Sequence, residues 1–334
     1  MTVIEARGLR KTFSIAKKVG RVRRKRVDVH AVDGIDLTVE TGDMLGYIGP
    51  NGAGKSTTLK MFTGVLTPTS GHVRVCGLRP VPDRVRLARR IGVVFGQRSQ
   101  LWWDLPLRES FALLRHIYRV PAAEHAQRLK NYVDLLDVGP LLDTPVRQLS
   151  LGQRMRSEVT AALLHAPEVL FLDEPTIGLD VVSKEAVRSA LAALAATGEV
   201  TVVLTTHDLD DIERLCRRLV VIDHGRVMHD GTLEELHRAY GSRRRVIVEL
   251  DGPYGRLEVP SATVDRIEAE GRRQTLSFSP SDTTAAAVIG AVAAAAPLRD
   301  LQVAEPDIDE VVRRLYTTPS GVPSGTPLGE SLEG

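Results

Sequence analysis

The sequence predicts an α/β fold with a mainly parallel sheet, a helical subdomain inserted into that sheet, and a small α+β domain after it. Over residues 2–240, short apolar runs alternate with helical segments, as in α/β proteins with parallel strands. Between about residues 98 and 165, helical segments follow one another without a strand. After residue 240 the pattern changes again, to strands with few helices.

Four short, uniformly apolar runs predict buried strands of the parallel sheet, because such strands are covered on both faces. They lie at Met44–Ile48, 169–172, 200–205 and 219–222. The helical subdomain contains predicted helices at Leu107–Tyr118 and 123–136. We therefore expect one domain over residues 1–240.

The small domain is expected over residues 241–316. Its predicted strands are 245–250, 274–279 and 301–304, its predicted helices are 282–295 and 307–316, and their order suggests ferredoxin-like packing. The tail, residues 317–334, is rich in Pro, Gly and Ser and is predicted to be disordered.

Composition limits the function classes. The 334 residues carry a net charge of only +2, which gives no global argument for binding nucleic acid or membrane. Two cysteines are too few for a disulfide scaffold or a zinc site and suit a reducing cytoplasm. The longest run without polar groups, 285–296, is mostly alanine and shorter than the roughly 20 residues of a bilayer span. We expect a chain that does not cross a membrane by itself.

A phosphate-binding loop follows the first buried strand. The residues fit G-x-x-x-x-G-K-[ST], and a helical segment follows from Thr57. The backbone N–H groups and the helix N-terminus are predicted to bind phosphates, Lys55 to contact the β- and γ-phosphates, and Ser56 to bind Mg²⁺. The loop consists of Gly49, Pro50, Asn51, Gly52, Ala53, Gly54, Lys55 and Ser56.

Two adjacent carboxylates, Asp173 and Glu174, follow the second buried strand. Placing two carboxylates at the end of a buried strand costs free energy, which is typical of residues with a functional role. Asp173 is predicted to hold Mg²⁺ through its hydration shell. Glu174 is the candidate general base that activates the attacking water.

Residues 149–154, with the sequence LSLGQR, stand about 20 positions before Asp173 and resemble the signature motif of the ABC ATPase superfamily. Further matches follow the order of that superfamily over about residues 3–236. The resemblance implies that Phe13 stacks on adenine, that Gln97 binds nucleotide and Mg²⁺, and that His207 is a catalytic switch histidine beside Glu174 and Lys55. It also implies a P-loop ATPase domain with a mixed sheet, an antiparallel β subdomain and the inserted helices.

The same resemblance implies a working dimer. Ser150, Gly152 and Gln153 of the signature, together with Asp180, are expected to act on the ATP held by the opposite subunit. Each chain carries one copy of each motif, so a homodimer or a pair with a close relative is expected. Leu151 departs from the commonest pattern, which has glycine, but the neighbouring serine and glycine are intact.

Three segments together resemble the ATP-binding subunits of bacterial type-2 exporters, in the branch with daunorubicin-resistance and viologen-exporter ATPases. They are 97–106 (QRSQLWWDLP), 149–153 (LSLGQ) and 305–310 (EPDIDE). This implies a separate six-helix permease, a peripheral place at the cytoplasmic face of the membrane, and efflux of a drug-like or other small molecule. The alternative is a soluble ABC ATPase of translation or repair. A single ATPase unit without a coiled-coil or zinc insertion disfavours it.

Two features leave alternatives open. Trp102 and Trp103 either pack in the helical subdomain or line a groove for a permease helix, since large aromatics favour interface centres. Seven basic residues within positions 17–26 form either a solvated hairpin loop or a contact with anionic lipid or an acidic permease loop. Nucleic acid is not expected as a partner, because no aromatic residues are interleaved to stack on bases.

Overall fold

The computed structural model describes residues 1–19, 23–95, 99–240, 243–280 and 282–304. Its contacts separate two compact units, Met1–Leu233 and the residues from Glu234 onward. The strands are β1 (Thr2–Val19), β2 (Arg23–Glu40), β3 (Met44–Ile48), β4 (Ser70–Val75), β5 (Ile91–Phe95), β6 (Val169–Asp173), β7 (Thr201–Thr206), β8 (Arg218–Asp223), β9 (Arg226–Gly231), β10 (Arg244–Leu250), β11 (Ala262–Glu268), β12 (Arg273–Phe278) and β13 (Leu298–Ala304).

The helices begin directly after the phosphate-binding loop. They are α1 (Lys55–Phe62), α2 (Arg84–Ala88), α3 (Leu107–Tyr118), α4 (Ala122–Leu135), α5 (Leu151–Leu163), α6 (Val181–Thr197), α7 (Leu209–Leu215), α8 (Leu233–Tyr240) and α9 (Ala285–Ala295). None of the helices in the described ranges is long and apolar enough to span a bilayer.

The first unit contains a six-stranded sheet with the strand order β5-β6-β7-β3-β8-β9. All neighbours are parallel except β8 and β9, so the sheet is mixed, as expected. The four predicted strands are confirmed to within about one residue at each end. Their side chains are buried almost throughout because helices cover both faces of such a sheet. Because β6, β7 and β3 are parallel neighbours in this order, their carboxyl ends lie at one edge of the sheet, where the phosphate-binding loop begins after β3.

An antiparallel sheet of order β2-β1-β4 forms the second layer, which confirms the antiparallel subdomain. Strands β1 and β2 pair from Thr2↔Glu40 to Val19↔Arg23, which makes a long two-stranded ribbon. The basic run 17–26 falls at the end of this ribbon away from Thr2, and its residues 17–19 and 23–26 belong to the paired strands, whereas a loop was expected over the whole run. Residues 20–22 lie outside the described part of the chain.

The inserted helical subdomain contains α3, α4 and α5. Helix α3 has its predicted bounds and buries Leu107, Phe111 and Leu114, which recur at three- and four-residue spacing on one face. Helix α4 begins and ends one residue before its predicted bounds. This spacing of apolar residues is why the helices could be located from the sequence.

The second unit is a four-stranded antiparallel sheet of order β11-β12-β10-β13, covered by α9. Val288 and Val292 of α9 join the apolar cluster of β10 and β12. The strand order is that of a ferredoxin-like sheet, but the connection 251–261 contains no helix, which the suggested packing would require. Strand β11 was not predicted, because Val264 is its only buried residue. The predicted helix 307–316, the motif 305–310 and the tail 317–334 lie outside the described residues.

Candidate functional site

The loop between β3 and α1 has the geometry of a phosphate cradle. Gly54 has φ of 109°, a conformation that L-residues other than glycine rarely adopt. A Cβ atom at Gly54 would also lie 2.4 Å from the carbonyl oxygen of Ala31 on β2. The backbone turns sharply here into α1, so the N-terminal N–H groups of this helix open toward the loop, as an anion site requires.

Lys55 connects this loop with the acidic pair. Its side chain is only 7% exposed, and its Nζ donates to the carbonyl oxygen of Gly49 at 2.5 Å. The same Nζ lies 3.4 Å from Oε1 of Glu174. The ammonium group is therefore held between the phosphate-binding loop and the candidate general base.

Ser56 and Asp173 form an oxygen pair at the start of α1. Ser56 Oγ donates to Asp173 Oδ1 at 3.0 Å, and Thr205 Oγ1 donates to the same oxygen at 2.7 Å. Hydroxyl and carboxylate oxygens are hard ligands, and Mg²⁺ typically takes one or two carboxylates besides phosphates and water. The two oxygens on α1 and β6 therefore fit a magnesium ligand set.

Glu174 is held by both its backbone and its side chain. It has φ of 56°, in the left-handed region that non-glycine residues seldom occupy. Its N–H donates to the carbonyl oxygen of Thr205 at 3.0 Å, and its Oε2 lies 2.6 Å from Nδ1 of His207. The side chain of Glu174 is 17% exposed and that of His207 50%. The sequence-predicted trio Lys55, Glu174 and His207 thus meets at one place.

Phe13 lies on β1 and is paired with Val29 on β2. Ala31 follows Val29 two positions later on β2. Because Ala31 touches the backbone of Gly54, the Phe13 segment runs beside the phosphate-binding loop. The ring is 37% exposed, and Nζ of Lys11 lies 5.2 Å from its centroid. An exposed aromatic face beside a phosphate site can stack on a base. Gln97, the remaining candidate for nucleotide and Mg²⁺, lies outside the described residues.

The signature residues cap α5. Ser150 Oγ accepts the N–H of Gln153 at 3.2 Å, and Gln153 Oε1 accepts the N–H of Ser150 at 2.9 Å. This reciprocal capping box fixes the first turn of α5. The side chain of Gln153 is therefore engaged within its own helix.

Gly152 allows α5 to approach the start of α6 closely. A Cβ atom at Gly152 would lie 2.8 Å from Cβ of Ser183. Ser183 in turn donates its N–H to Asp180 Oδ1 at 2.9 Å, so Asp180 caps α6. The hydrogen bond from the Ser183 N–H lowers the pKa of Asp180 and keeps it ionised. Among the described residues, no hydrogen bond or ion pair joins these signature residues to the phosphate-binding loop of the same chain.

A buried polar network behind His207 was not predicted from the sequence. Arg188 on α6 donates from Nε to Asp211 Oδ1 at 2.5 Å and from Nη2 to Asp208 Oδ1 at 3.1 Å. Lys184 Nζ donates to Asp208 Oδ2 at 2.6 Å, and Thr176 Oγ1 donates to Asp211 Oδ2 at 2.5 Å. The network links α6 and the loop after β6 to the residues that follow His207. The available signal was a basic residue in a helix and the acids Asp208 and Asp211, which stand two and five positions after a buried strand.

The family model described as "ABC transporter" matches residues 32–177, which include the phosphate-binding loop, the signature and the acidic pair. Nod factor export ATP-binding protein I of Sinorhizobium fredii is 35% identical over 266 residues, covering 76% of this chain and 77% of that protein. The daunorubicin/doxorubicin resistance ATP-binding protein DrrA of Streptomyces peucetius is 40% identical over 214 residues, covering 64% of each.

Solved structures agree with this family. A structure described as the ATP-binding subunit of an ABC transporter superposes with a TM-score of 0.59 at 26% identity, covering 72% of this chain and 93% of that one. A dimeric bacterial ABC transporter cassette gives a TM-score of 0.58 at 26% identity, covering 69% and 98%. Motifs, fold and relatives together identify the chain as a member of the ABC transporter family, in which it is an ATP-binding and ATP-hydrolysing subunit.

Proposed function

We propose that this chain is the ATPase subunit of an exporter, which couples ATP-driven dimer closure and hydrolysis to efflux of a small molecule through a separate permease. The observation that carries the proposal is the meeting of Lys55, Glu174 and His207 beside the Ser56–Asp173 pair. The names of the relatives, which refer to Nod factor export and to daunorubicin/doxorubicin resistance, support export. They favour it over a switch protein of translation or repair.

The nucleotide is held in the proposed site by one subunit. Phe13 stacks on adenine, the N–H groups of residues 49–57 surround the phosphates, and the Lys55 ammonium lies against the β- and γ-phosphates. Mg²⁺, when bound by Ser56, Asp173 and the proposed ligand Gln97, neutralises charge on the phosphate oxygens. Ser56 Oγ and Asp173 Oδ1 are already 3.0 Å apart, so these two side chains need little rearrangement to bind the ion together.

Glu174 is the proposed base of the hydrolytic step. Its carboxylate accepts a proton from the attacking water, whose oxygen forms a bond to the γ-phosphorus while the bond to the β–γ bridging oxygen breaks. The products are ADP and inorganic phosphate. His207 and Lys55 hold one oxygen each of the Glu174 carboxylate, which orients it for this transfer.

The dimer is the second part of the proposal. Ser150 and Gly152 at the N-terminus of α5, together with Asp180, face the γ-phosphate held by the partner, while Gln153 keeps Ser150 in position through the capping box. Val181 and Val182, directly after Asp180, are 83% and 79% exposed. Two apolar side chains exposed beside the signature support an interface there.

A six-helix permease is the proposed membrane partner, and it would place the chain at the cytoplasmic face. Trp102 and Trp103 are 37% and 52% exposed, which favours an interface over packing inside the helical subdomain, the other interpretation of this pair. Exposed tryptophans are favoured at interface centres. We propose that they contact the permease.

The test is co-purification from membranes of the source cell with a tagged chain, followed by identification of the retained membrane proteins. We expect a six-helix protein to be retained. The double variant Trp102→Ala/Trp103→Ala is expected to lose it while the ATPase rate of the isolated chain stays within about twofold. Val85→Ala, which removes an apolar side chain on α2 that is 71% exposed, is the control. Retention of a periplasmic binding-protein importer, or of no membrane protein, would contradict the proposal.

A further inference from the structure

Helix α5 carries a buried acid that the hydrolytic site does not use. Glu158 is 4% exposed and lies two turns beyond Ser150, the cap of the same helix. Burial raises the pKa of Glu158 above the ordinary value of its side chain. A buried carboxylate is costly unless hydrogen bonds compensate it, so its partners indicate its role.

Those partners all lie in one short segment, residues 99–101. Ser99 Oγ donates to Glu158 Oε1, and the N–H of Gln100 donates to Glu158 Oε2 at 3.2 Å. The side-chain amide of Gln100 also donates to the carbonyl oxygen of Glu158 at 3.1 Å. Ser99 and Gln100 of this segment therefore both form hydrogen bonds with one residue of α5, Glu158.

Arg154 holds the continuation of that segment. It stands four residues before Glu158, on the same face of α5, and its guanidinium lies 5.6 Å from the ring centroid of Trp103. The N–H of Trp102 donates to Ser110 Oγ at 3.3 Å, and the carbonyl of Trp103 accepts the N–H of Arg147 at 3.0 Å. Residues 99–103 are thus attached to α5 at two points, one of them buried.

We propose that Glu158 is a positioning residue that makes the tryptophan pair move with the signature helix. The inference rests on the proposed function, in which the N-terminus of α5 closes on the nucleotide of the partner subunit. Ser150 and Glu158 are about 12 Å apart along one helix, which moves as a rigid body over that length. A displacement at Ser150 therefore reaches Trp102 and Trp103 through the Glu158 hydrogen bonds, without passing through the hydrolytic groups.

The tryptophans report this coupling directly, because Trp102 and Trp103 are the only two in the chain. The experiment uses the full chain carrying Glu174→Gln, which is expected to slow hydrolysis about 100-fold or more. Mg-ATP is titrated while tryptophan emission and dimer formation are recorded. We expect tryptophan emission to change as the dimer forms. Adding Glu158→Ala is expected to reduce the amplitude at least about fivefold. The ATP concentration for half-maximal dimer formation is expected to change by no more than about twofold.

Two further variants sharpen the comparison. Glu124→Ala removes an exposed carboxylate of α4 in the same subdomain and is expected to leave the amplitude unchanged. Glu158→Gln keeps an oxygen that accepts the Ser99 hydroxyl and is expected to restore part of the amplitude. If Glu158→Ala does not fold, Ser99→Ala replaces it, since it removes only one hydroxyl. A reduced amplitude in Ser99→Ala supports the coupling, and an unchanged one contradicts it.

The outcomes separate the two proposals. If the Glu174→Gln chain forms no dimer with Mg-ATP, the proposed function fails, and the coupling that rests on it fails too. If the dimer forms but emission does not change, or if Glu158→Ala keeps the full amplitude, only the role of Glu158 is overturned.

Discussion

The two oxygens of Glu174 have different partners: Oε2 lies 2.6 Å from Nδ1 of His207, and Oε1 lies 3.4 Å from Nζ of Lys55. One carboxylate therefore connects His207 with Lys55 of the loop after β3. Because each oxygen is held by a separate element of the fold, loss of either neighbour changes the orientation of the carboxylate.

Glu174→Gln is expected to slow ATP hydrolysis about 100-fold or more, because the amide cannot accept the proton of the attacking water. ATP binding is expected to persist, since Lys55 and the loop, which we propose to contact the phosphates, are unchanged. Steady-state phosphate release measures the first effect, and size-exclusion chromatography with Mg-ATP is expected to show a stabilised dimer.

The matched control is Glu185→Gln, which changes an exposed carboxylate on α6 that pairs with Arg214. It is expected to hydrolyse ATP at the parent rate. Normal turnover by Glu174→Gln would show that another group is the base.

Ser56→Ala is expected to raise the Mg²⁺ concentration needed for half-maximal hydrolysis about tenfold, because one oxygen of the Ser56–Asp173 pair is removed. Binding of a fluorescent ATP analogue in EDTA is expected to stay unchanged. Ser70→Ala on β4, where the side chain is exposed, provides the control. An unaltered Mg²⁺ dependence in Ser56→Ala would remove this residue from the metal site.

Gly152→Ala is expected to destabilise the first unit by about 1–3 kcal/mol, because the new methyl group meets Ser183 at 2.8 Å. Gly290 is also in a helix but has open space at the Cβ position. Gly290→Ala is therefore expected to stabilise its own unit by about 0.5–1 kcal/mol. Urea unfolding of the parent chain and the two variants measures both effects. If both substitutions changed the free energy of unfolding in the same direction, the packing argument would be refuted.

Asp208 gives a pH-dependent prediction. Burial alone would raise its pKa, but hydrogen bonding to Lys184 and the charge of Arg188 outweigh burial, so the pKa lies below the ordinary value of 3.8. A depressed pKa contributes stability that is present above 3.8 and is lost as the pH falls through the folded value. Asp208→Asn is expected to cost about 2 kcal/mol at pH 6, and this difference is expected to shrink below pH 4.

The comparison is made by urea unfolding at a series of pH values. Asp210→Asn serves as the control, because Asp210 is 71% exposed and lies 3.9 Å from Arg188. It is expected to change stability by less than about 1 kcal/mol at every pH. A pH-independent cost of Asp208→Asn would mean that its charge does not stabilise the network.

The phosphate-binding loop, the acidic pair and the buried strands could be located from the sequence because each is a local pattern. A glycine-rich loop between an apolar strand and a helix is recognisable wherever it stands, and so is an uninterrupted apolar run. Strand β11 was missed because it lies at the edge of its sheet and only Val264 is buried, so alternation is weak.

The remaining features depend on contacts between distant positions. Arg188 and Asp211 are 23 residues apart, and Ser99 and Glu158 are 59 apart. The sequence around Arg188 or Glu158 does not identify the residue that each contacts. A charged residue on a helix is most often exposed, so neither was expected to have a buried partner. Gln153 was expected to act toward the partner subunit, and only the structure reveals that its side chain caps its own helix.

The left-handed backbone conformation of Glu174 lowers stability at a residue that the proposed hydrolytic step requires. A residue with a Cβ atom costs roughly 1–2 kcal/mol in this conformation, whereas glycine adopts it freely. Glu174→Gly would relax the turn after β6 and abolish the proposed base in the same step. Selection for thermal stability alone, for instance in a library screened by unfolding temperature, would thus enrich inactive chains at this residue.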